Sequence, residues 1–184
     1  MQTLLESDKN IAPEEYAKVK TRNLAIEFLF PRITRAYIVR VMLVVAAAVL
    51  IFRFILIPYR VEGYSMVPTY HDGEFNFCFT LSYLFSDPDP SDIVLIRMAG
   101  SRVMLLKRVV AIAGQTVSFK NGSLFVNQKP VAEPYVTKTL PWNLPPRLVK
   151  KSHVYVVGDN RNVAMERHDF GQTPIERVAG VPLW

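Results

Sequence analysis

The feature that most constrains this chain is a long apolar stretch near its start, Ala36 to Tyr59, "AYIVRVMLVVAAAVLIFRFILIPY". Wound as a helix, its 24 residues extend about 36 Å, enough to cross a bilayer core of about 30 Å. Arg40 and Arg53 stand 13 residues apart, so each side chain can reach toward its own interface. A core helix of a soluble protein would be shorter and would not carry both arginines. A cleavable signal peptide would begin earlier and end in a small-x-small site. The stretch therefore predicts three parts: an N-terminal segment 1–35, a transmembrane helix 36–59 and an outer domain 60–184.

Orientation follows from the flanking charges. Residues 16–35 hold Lys18, Lys20, Arg22, Arg32 and Arg35, whereas residues 60–79 hold Arg60 alone. Cytoplasmic flanks carry the excess of basic residues, so the N-terminus is expected in the cytoplasm and the domain after Tyr59 outside. Within 1–35, Pro13 opens "PEEYAKVKTRNLAIEFLF", with acidic residues in what would be a first helical turn. Its apolar positions are loosely periodic, which suits either the inner membrane surface or a docking partner. Its acidic residues speak against an organellar transit peptide.

After Tyr59 the pattern changes to short β-branched and aromatic runs bounded by Gly, Pro, Asn and Asp: 74–80, 92–97, 102–113, 116–119, 123–126 and 153–157. Asn121-Gly122 between two such runs is a tight-hairpin signal. "SDPDPSD" (86–92) and "TLPWNLPPRLVKKSH" (139–153) read as Pro-rich connections. The fold class expected is mainly β, one all-β domain over 60–184 with a Pro-rich excursion at 134–152. Trp142, Leu140 and Leu144 in that excursion are expected either to dip into the membrane interface, where tryptophan is favoured, or to pack on their own domain.

The formal charge of +6 raises nucleic acid as a partner, but the basic residues are scattered and form no cluster interleaved with aromatics. The single cysteine, Cys78, excludes an internal disulfide and reads as a small buried apolar residue. What remains reactive is a serine, Ser65, in "EGYSMVPTY". A serine hydroxyl needs a base. Three histidines are available, His71, His153 and His168, but no spacing joins one of them and an aspartate to Ser65. Lys107 is the better candidate. In "RVMLLKRVVAIA" alternation places it with Val103, Leu105, Val109 and Ala111, and places Arg108 on the opposite face with Met104, Leu106 and Val110. Such a lysine either lays its stem over apolar surface at a sheet edge or is buried. A buried amine sheds its proton; bringing it from about 10.4 to near neutrality costs about 4 kcal/mol, within reach of desolvation. Arginine stays charged in the same setting.

Three blocks, in order, resemble the type I signal peptidase family. "VEGYSMVPTY" resembles its nucleophile block, "LKRVVAIAGQTV" its lysine block, and "YVVGDNRNVAMERHDFG" its G-D-N-R block; "GSLFVNQKP" and "EPY" are similar to the hairpin and the stretch after it. The resemblance spans roughly residues 57–180. It implies a serine–lysine endopeptidase, without metal or organic cofactor, that removes signal peptides from exported preproteins at a bacterial inner membrane or a related organellar one. Its partners would be those preproteins, membrane lipids and the secretion machinery. It also implies roles: Ser65 as nucleophile and, through its backbone N–H, oxyanion donor; Lys107 as general base; Gly63, Met66 and Pro68 shaping the turn; Arg108, Asp159 and Arg161 supporting it. Some relatives carry a hydroxyl donor two residues before the nucleophile; here Gly63 supplies none.

The third block departs from the pattern. Ala164 stands where the family's lysine-orienting serine is expected, and Glu166, Arg167 and His168 stand where aspartate, serine and arginine are expected. A salt bridge within that set, or from it to Arg161, remains open. So does a weakly active or non-catalytic relative that binds signal sequences or a secretion partner, or one specialised for a single substrate. A self-cleaving repressor-type protease would share the Ser–Lys pair, but the membrane helix argues against it.

Overall fold

The structure is a computed structural model that describes residues 34–98 and 104–184. The N-terminal segment before residue 34, with its expected helix, lies outside the described residues. The chain divides into two compact units, Met1–Ala48 and Val49–Trp184.

Helix α1 (Arg35–Leu50) begins at Thr34, whose Oγ1 accepts the N–H of Tyr37 at 3.2 Å, the use of threonine expected at an N-cap. The helical path continues through one π turn, Ile51–Ile55. Together they make 21 residues of mean hydropathy 2.6 with no buried side chain, about 32 Å long and sufficient to span. The end differs from the expected 36–59. Leu56–Arg60 is already a strand, β1, because Pro58 cannot donate to a helix and disfavours helical backbone at Ile57. Thr80 satisfies the last carbonyls, its N–H on Ile55 O at 3.0 Å and its hydroxyl on Phe54 O at 2.6 Å.

The remaining strands are β2 (Phe75–Phe79), β3 (Ile93–Arg97), β4 (Met104–Ile112), β5 (Thr116–Lys120), β6 (Ser123–Val126), β7 (Lys129–Pro130), β8 (Leu144–Leu148), β9 (His153–Val157), β10 (Gly171–Pro174) and β11 (Val178–Pro182). They form a seven-stranded sheet, β1-β2-β11-β3-β4-β9-β10, and a four-stranded sheet, β7-β6-β5-β8, so the mainly β expectation holds. Asn121 and Gly122 turn β5 into β6 with φ of 48° and 85°, and Lys120 faces Ser123, the two-residue geometry that Asn-Gly favours.

Long β4 lies in the middle of the large sheet, and from Leu106 to Ala111 its side chains are buried on both faces. Leu106 joins Val61, Met66, Tyr70, Cys78 and Leu95 on one side. Leu105 and Val109 join Val94, Ile96, Val154 and Val156 on the other. The predicted alternation holds up to Val109 and then breaks at a bulge between Val109 and Ala111, which turns Val110 and Ala111 into a third cluster with Phe119, Leu124 and Tyr155. Cys78 is fully buried and its thiol is pushed up to about 11 by that burial.

The Pro-rich excursion is corrected in one respect, and one of the two alternatives for Trp142 is selected. Part of it is strand β8, "LPPRL", which pairs with β5 at the sheet edge, where proline's missing N–H faces no partner. Trp142 does not reach outward: it is 3% exposed. Its ring stacks on Phe170 at 5.5 Å, meets Phe119 edge-on at 5.6 Å, and its Nε1 donates to Val163 O at 2.8 Å. Leu144 is buried beside it and only Leu140 keeps partial exposure. Truncating a buried aromatic leaves a large cavity, so Trp142→Ala should cost about 3–5 kcal/mol, read as a lower midpoint in thermal unfolding of the detergent-solubilised protein.

Candidate active site

Ser65 sits in the connection from β1 to β2, residues 61–74. The neck of that connection is closed by Val61 N–H on Glu74 O and Gly73 N–H on Val61 O, each at 2.8 Å. Gly63 takes φ of +89° with open space around it, so backbone conformation rather than crowding calls for glycine. Its N–H donates to Asp72 Oδ1 at 2.7 Å. Met66 buries its side chain in the core beside Leu106 and its carbonyl accepts the Tyr70 N–H at 3.0 Å, while Pro68 lies exposed on the outer turn. Ser65 itself is half-buried, and its N–H donates to no group among the described residues.

Lys107 faces Val94 of β3 across the ladder and is 2% exposed. The stem-over-surface alternative is thereby removed. Loss of water drives its amine below its ordinary value of 10.5; the more distant attractions of Asp169 and Asp159 oppose this and do not reverse it. Among the described residues no carboxylate lies within ion-pair distance of its Nζ.

The G-D-N-R segment joins the serine loop to the lysine strand. Val157 at the end of β9 pairs with Arg108, so Gly158 follows alongside position 107. A Cβ at Gly158 would press into Ser65 O and the His168 ring, which is why this position admits only glycine. Asp159, 1% exposed, receives Arg108 through two bonds, Nε to Oδ1 at 2.9 Å and NH2 to Oδ2 at 2.7 Å. It also accepts the hydroxyl of Thr69, four residues beyond the serine. Asn160 donates its N–H to Ser65 O at 3.0 Å and its side-chain amide to Tyr64 O at 2.9 Å. Arg161 donates Nε to Gly158 O at 2.8 Å and pairs with Glu133. Glu133 also accepts the Tyr135 hydroxyl at 2.9 Å, and the Tyr135 ring lies 3.9 Å from the Arg108 guanidinium.

The open salt-bridge question is thus resolved: Arg161 pairs with Glu133, and Glu166 and Arg167 are exposed. Ser65 lines a cavity of about 640 Å3 with Tyr59, Met66, Leu95 and Leu106. Lys107 lines a smaller one of about 260 Å3 with Val156, His168 and Asp169. The two cavities share Leu105 as a wall. Among the described residues no group of three or more His, Cys, Asp or Glu side chains gathers as a metal site. Asn160, Thr69, Glu133 and Tyr135 were given no role by the sequence. Asn160 stands in the G-D-N-R run and Glu133 and Tyr135 in "EPY", which was the available signal; Thr69 carried none beyond its place after the proline.

A family model described as signal peptidase, peptidase S26, matches residues 34–183. The chain belongs to that family. It is 34% identical to signal peptidase I T of Bacillus subtilis, over 96% of this chain and 92% of that protein. It is 38% identical to a signal peptidase I of Bacillus amyloliquefaciens, over 76% of this chain and 78% of the relative. Against thylakoidal processing peptidase 1 of Arabidopsis thaliana it is 33% identical, over 67% of this chain and 39% of that protein. In this signal peptidase the Arg108–Asp159 pair is buried and bidentate, so removing one partner strands the other charge. Asp159→Ala should destabilise the outer domain by about 3–5 kcal/mol, measured by denaturant titration, with activity falling as Thr69 and the serine loop lose their anchor.

Proposed function

We propose that this signal peptidase cuts preproteins after small-x-small motifs with Ser65 as nucleophile and Lys107 as general base. The observation that carries the reading is a lysine buried in an interior strand, with no counter-ion among the described residues, beside the segment that grips the serine loop. Neutral Lys107 takes the Ser65 hydroxyl proton as Oγ attacks the scissile carbonyl. It then gives that proton to the departing amine and takes another from the water that hydrolyses the acyl-enzyme. The N–H of Ser65, which has no partner among the described residues, would donate to the developing oxyanion. The substrate would lie as an added strand against the larger cavity, with small apolar side chains against Leu95 and Leu106.

The helix over 35–55 anchors the enzyme in a membrane. The five-to-one excess of basic residues before it supports a cytoplasmic N-terminus and an outer catalytic domain. Lipids and secretion machinery are then its surroundings, and relatives of bacterial and thylakoid origin point to an inner or thylakoid membrane. A second reading, a relative that binds signal sequences without cutting them, is favoured by Ala164, which offers no hydroxyl to the site. It requires Ser65→Ala to remain functional in cells.

The decisive assay is cleavage of a small-x-small preprotein by the detergent-solubilised chain. Ser65→Ala and Lys107→Ala should each abolish it, and retention in either would dismiss the pair. Because only the neutral amine is a base, kcat/KM should rise with pH through a value below 10.5 and level off above it.

Burying this amine also has a stability consequence. Its folded pKa lies below its unfolded one, so between the two the unfolded chain holds more protons. Stability therefore rises with pH across that window and is lowest below it. Lys107→Met removes the desolvation cost at neutral pH and should raise the melting temperature by about 3 °C or more while abolishing cleavage. A lowered melting temperature would mean that the amine's interactions outweigh its desolvation.

A further inference from the structure

Lys107 and His168 line one cavity of about 260 Å3. Nδ1 of His168 is buried and makes no hydrogen bond among the described residues. The tautomer of His168 is fixed by its opposite nitrogen: Nε2 lies 2.8 Å from the Asn160 carbonyl. A carbonyl only accepts, so Nε2 carries the hydrogen and Nδ1 presents a bare lone pair. The ring has little freedom. Its Cε1 packs where a Cβ of Gly158 would be, Trp142 meets it edge-on at 5.0 Å, and Phe170 lies at 6.4 Å. Gly158 runs alongside strand position 107, so the imidazole sits beside the lysine strand. A buried acceptor without a donor is costly, and Lys107 brings an N–H donor to the same cavity.

We propose that His168 is a positioning residue for Lys107. Its Nδ1 accepts an N–H of the amine once a turn of the flexible lysine stem closes the gap, and so directs the amine lone pair at Ser65. The inference rests on the Ser65–Lys107 reading. No proton passes to His168: the proton leaving Ser65 Oγ resides on Lys107 Nζ and departs with the leaving amine, while Nδ1 accepts a hydrogen bond throughout. The charged groups around the pair are Asp159 and Asp169 near the amine, Arg161 and Asp169 near the imidazole, and Arg177 in the cavity wall. Burial, with the Arg161 cation and any charge on Lys107 acting in the same sense, holds the imidazole below its ordinary value, which keeps Nδ1 available as an acceptor.

The test uses the full chain in detergent and measures kcat and KM for a preprotein across pH. His168→Phe keeps an aromatic ring and removes the lone pair. His168→Asn returns an oxygen acceptor near the Nδ1 position. His168→Phe should lower kcat about tenfold with KM little changed. It should also move the acid limb of kcat/KM to lower pH, because the ammonium form loses an acceptor. His168→Asn should recover most of kcat. A packing role alone would lower the melting temperature and leave the acid limb in place, and that result overturns the proposal, as does His168→Asn no better than His168→Phe. If His168→Phe fails to fold, His168→Asn against His168→Ala decides by the same readouts. Cleavage retained by Lys107→Ala would sink the underlying pair, whereas cleavage lost there with His168→Phe unaffected sinks this inference alone.

Discussion

A primary amine at the centre of a β-sheet stays charged only if something nearby neutralises it, and in this protein the buried carboxylate within its influence is already taken. Asp159 lies close enough to Lys107 to favour its charged form, but both of its oxygens are bound by Arg108 on the opposite face of the same strand. The neighbouring basic residues therefore divide the labour. Arg108, always charged and shaped for a bidentate grip, consumes the negative charge. Lys107, whose proton is removable, is left with desolvation as the dominant influence. An adjacent lysine and arginine on opposite faces of a buried strand can thus produce one permanent cation and one free base a residue apart.

The same pairing sets the position of the serine. Asp159 reaches Thr69, Asn160 reaches the carbonyls of Tyr64 and Ser65, and Gly158 lets the serine backbone approach where a methyl group would not fit. Arg161 holds this turn from below through Gly158 O and Glu133, with its guanidinium 5.0 Å from the Phe119 ring and 5.5 Å from that of Trp142. None of these four residues needs to touch a substrate. Their role is to hold a loop and a strand that are far apart in sequence in one arrangement, which is where much of the catalytic power of a weak nucleophile and a weak base must come from.

Local physics made much of this legible in advance. The apolar run, the alternating strands and the Asn121-Gly122 turn each follow from short-range rules, and the position of Lys107 among apolar face-mates leaves burial as one of two readings. What was hidden depends on partners distant in sequence. "LPPRL" reads as a connection because its prolines forbid an interior strand, and only an edge place beside β5 makes it one. The β6–β7 turn uses Asn127 and Gln128 at φ of 51° and 66°, and without a glycine it gives no local turn signal beyond the family resemblance of "GSLFVNQKP". The sequence around Trp142 leaves it open between the membrane interface and its own domain. Its burial is decided by Phe119 and Phe170, residues on either side of it by more than twenty positions. Likewise the partner of Arg161 was sought in the altered segment nearby and found in Glu133.

That last reassignment explains how the segment 164–168 can depart from its family's pattern without disturbing the fold. Glu166 and Arg167 are exposed and brace nothing buried, so their identity is weakly constrained. Arg161 draws its counter-charge from outside the segment, so the charge changes there leave it paired. Position 168 is different, because it is buried against the serine backbone and the aromatic cluster. A cation at that depth would need a carboxylate of its own, and Asp169, the nearest in sequence, is exposed. Neutral histidine meets the constraint by giving one hydrogen to Asn160 O and carrying no charge. The substitution that looks most drastic in the sequence is therefore the one best matched to a pocket that already holds the Arg161 cation and the Lys107 amine.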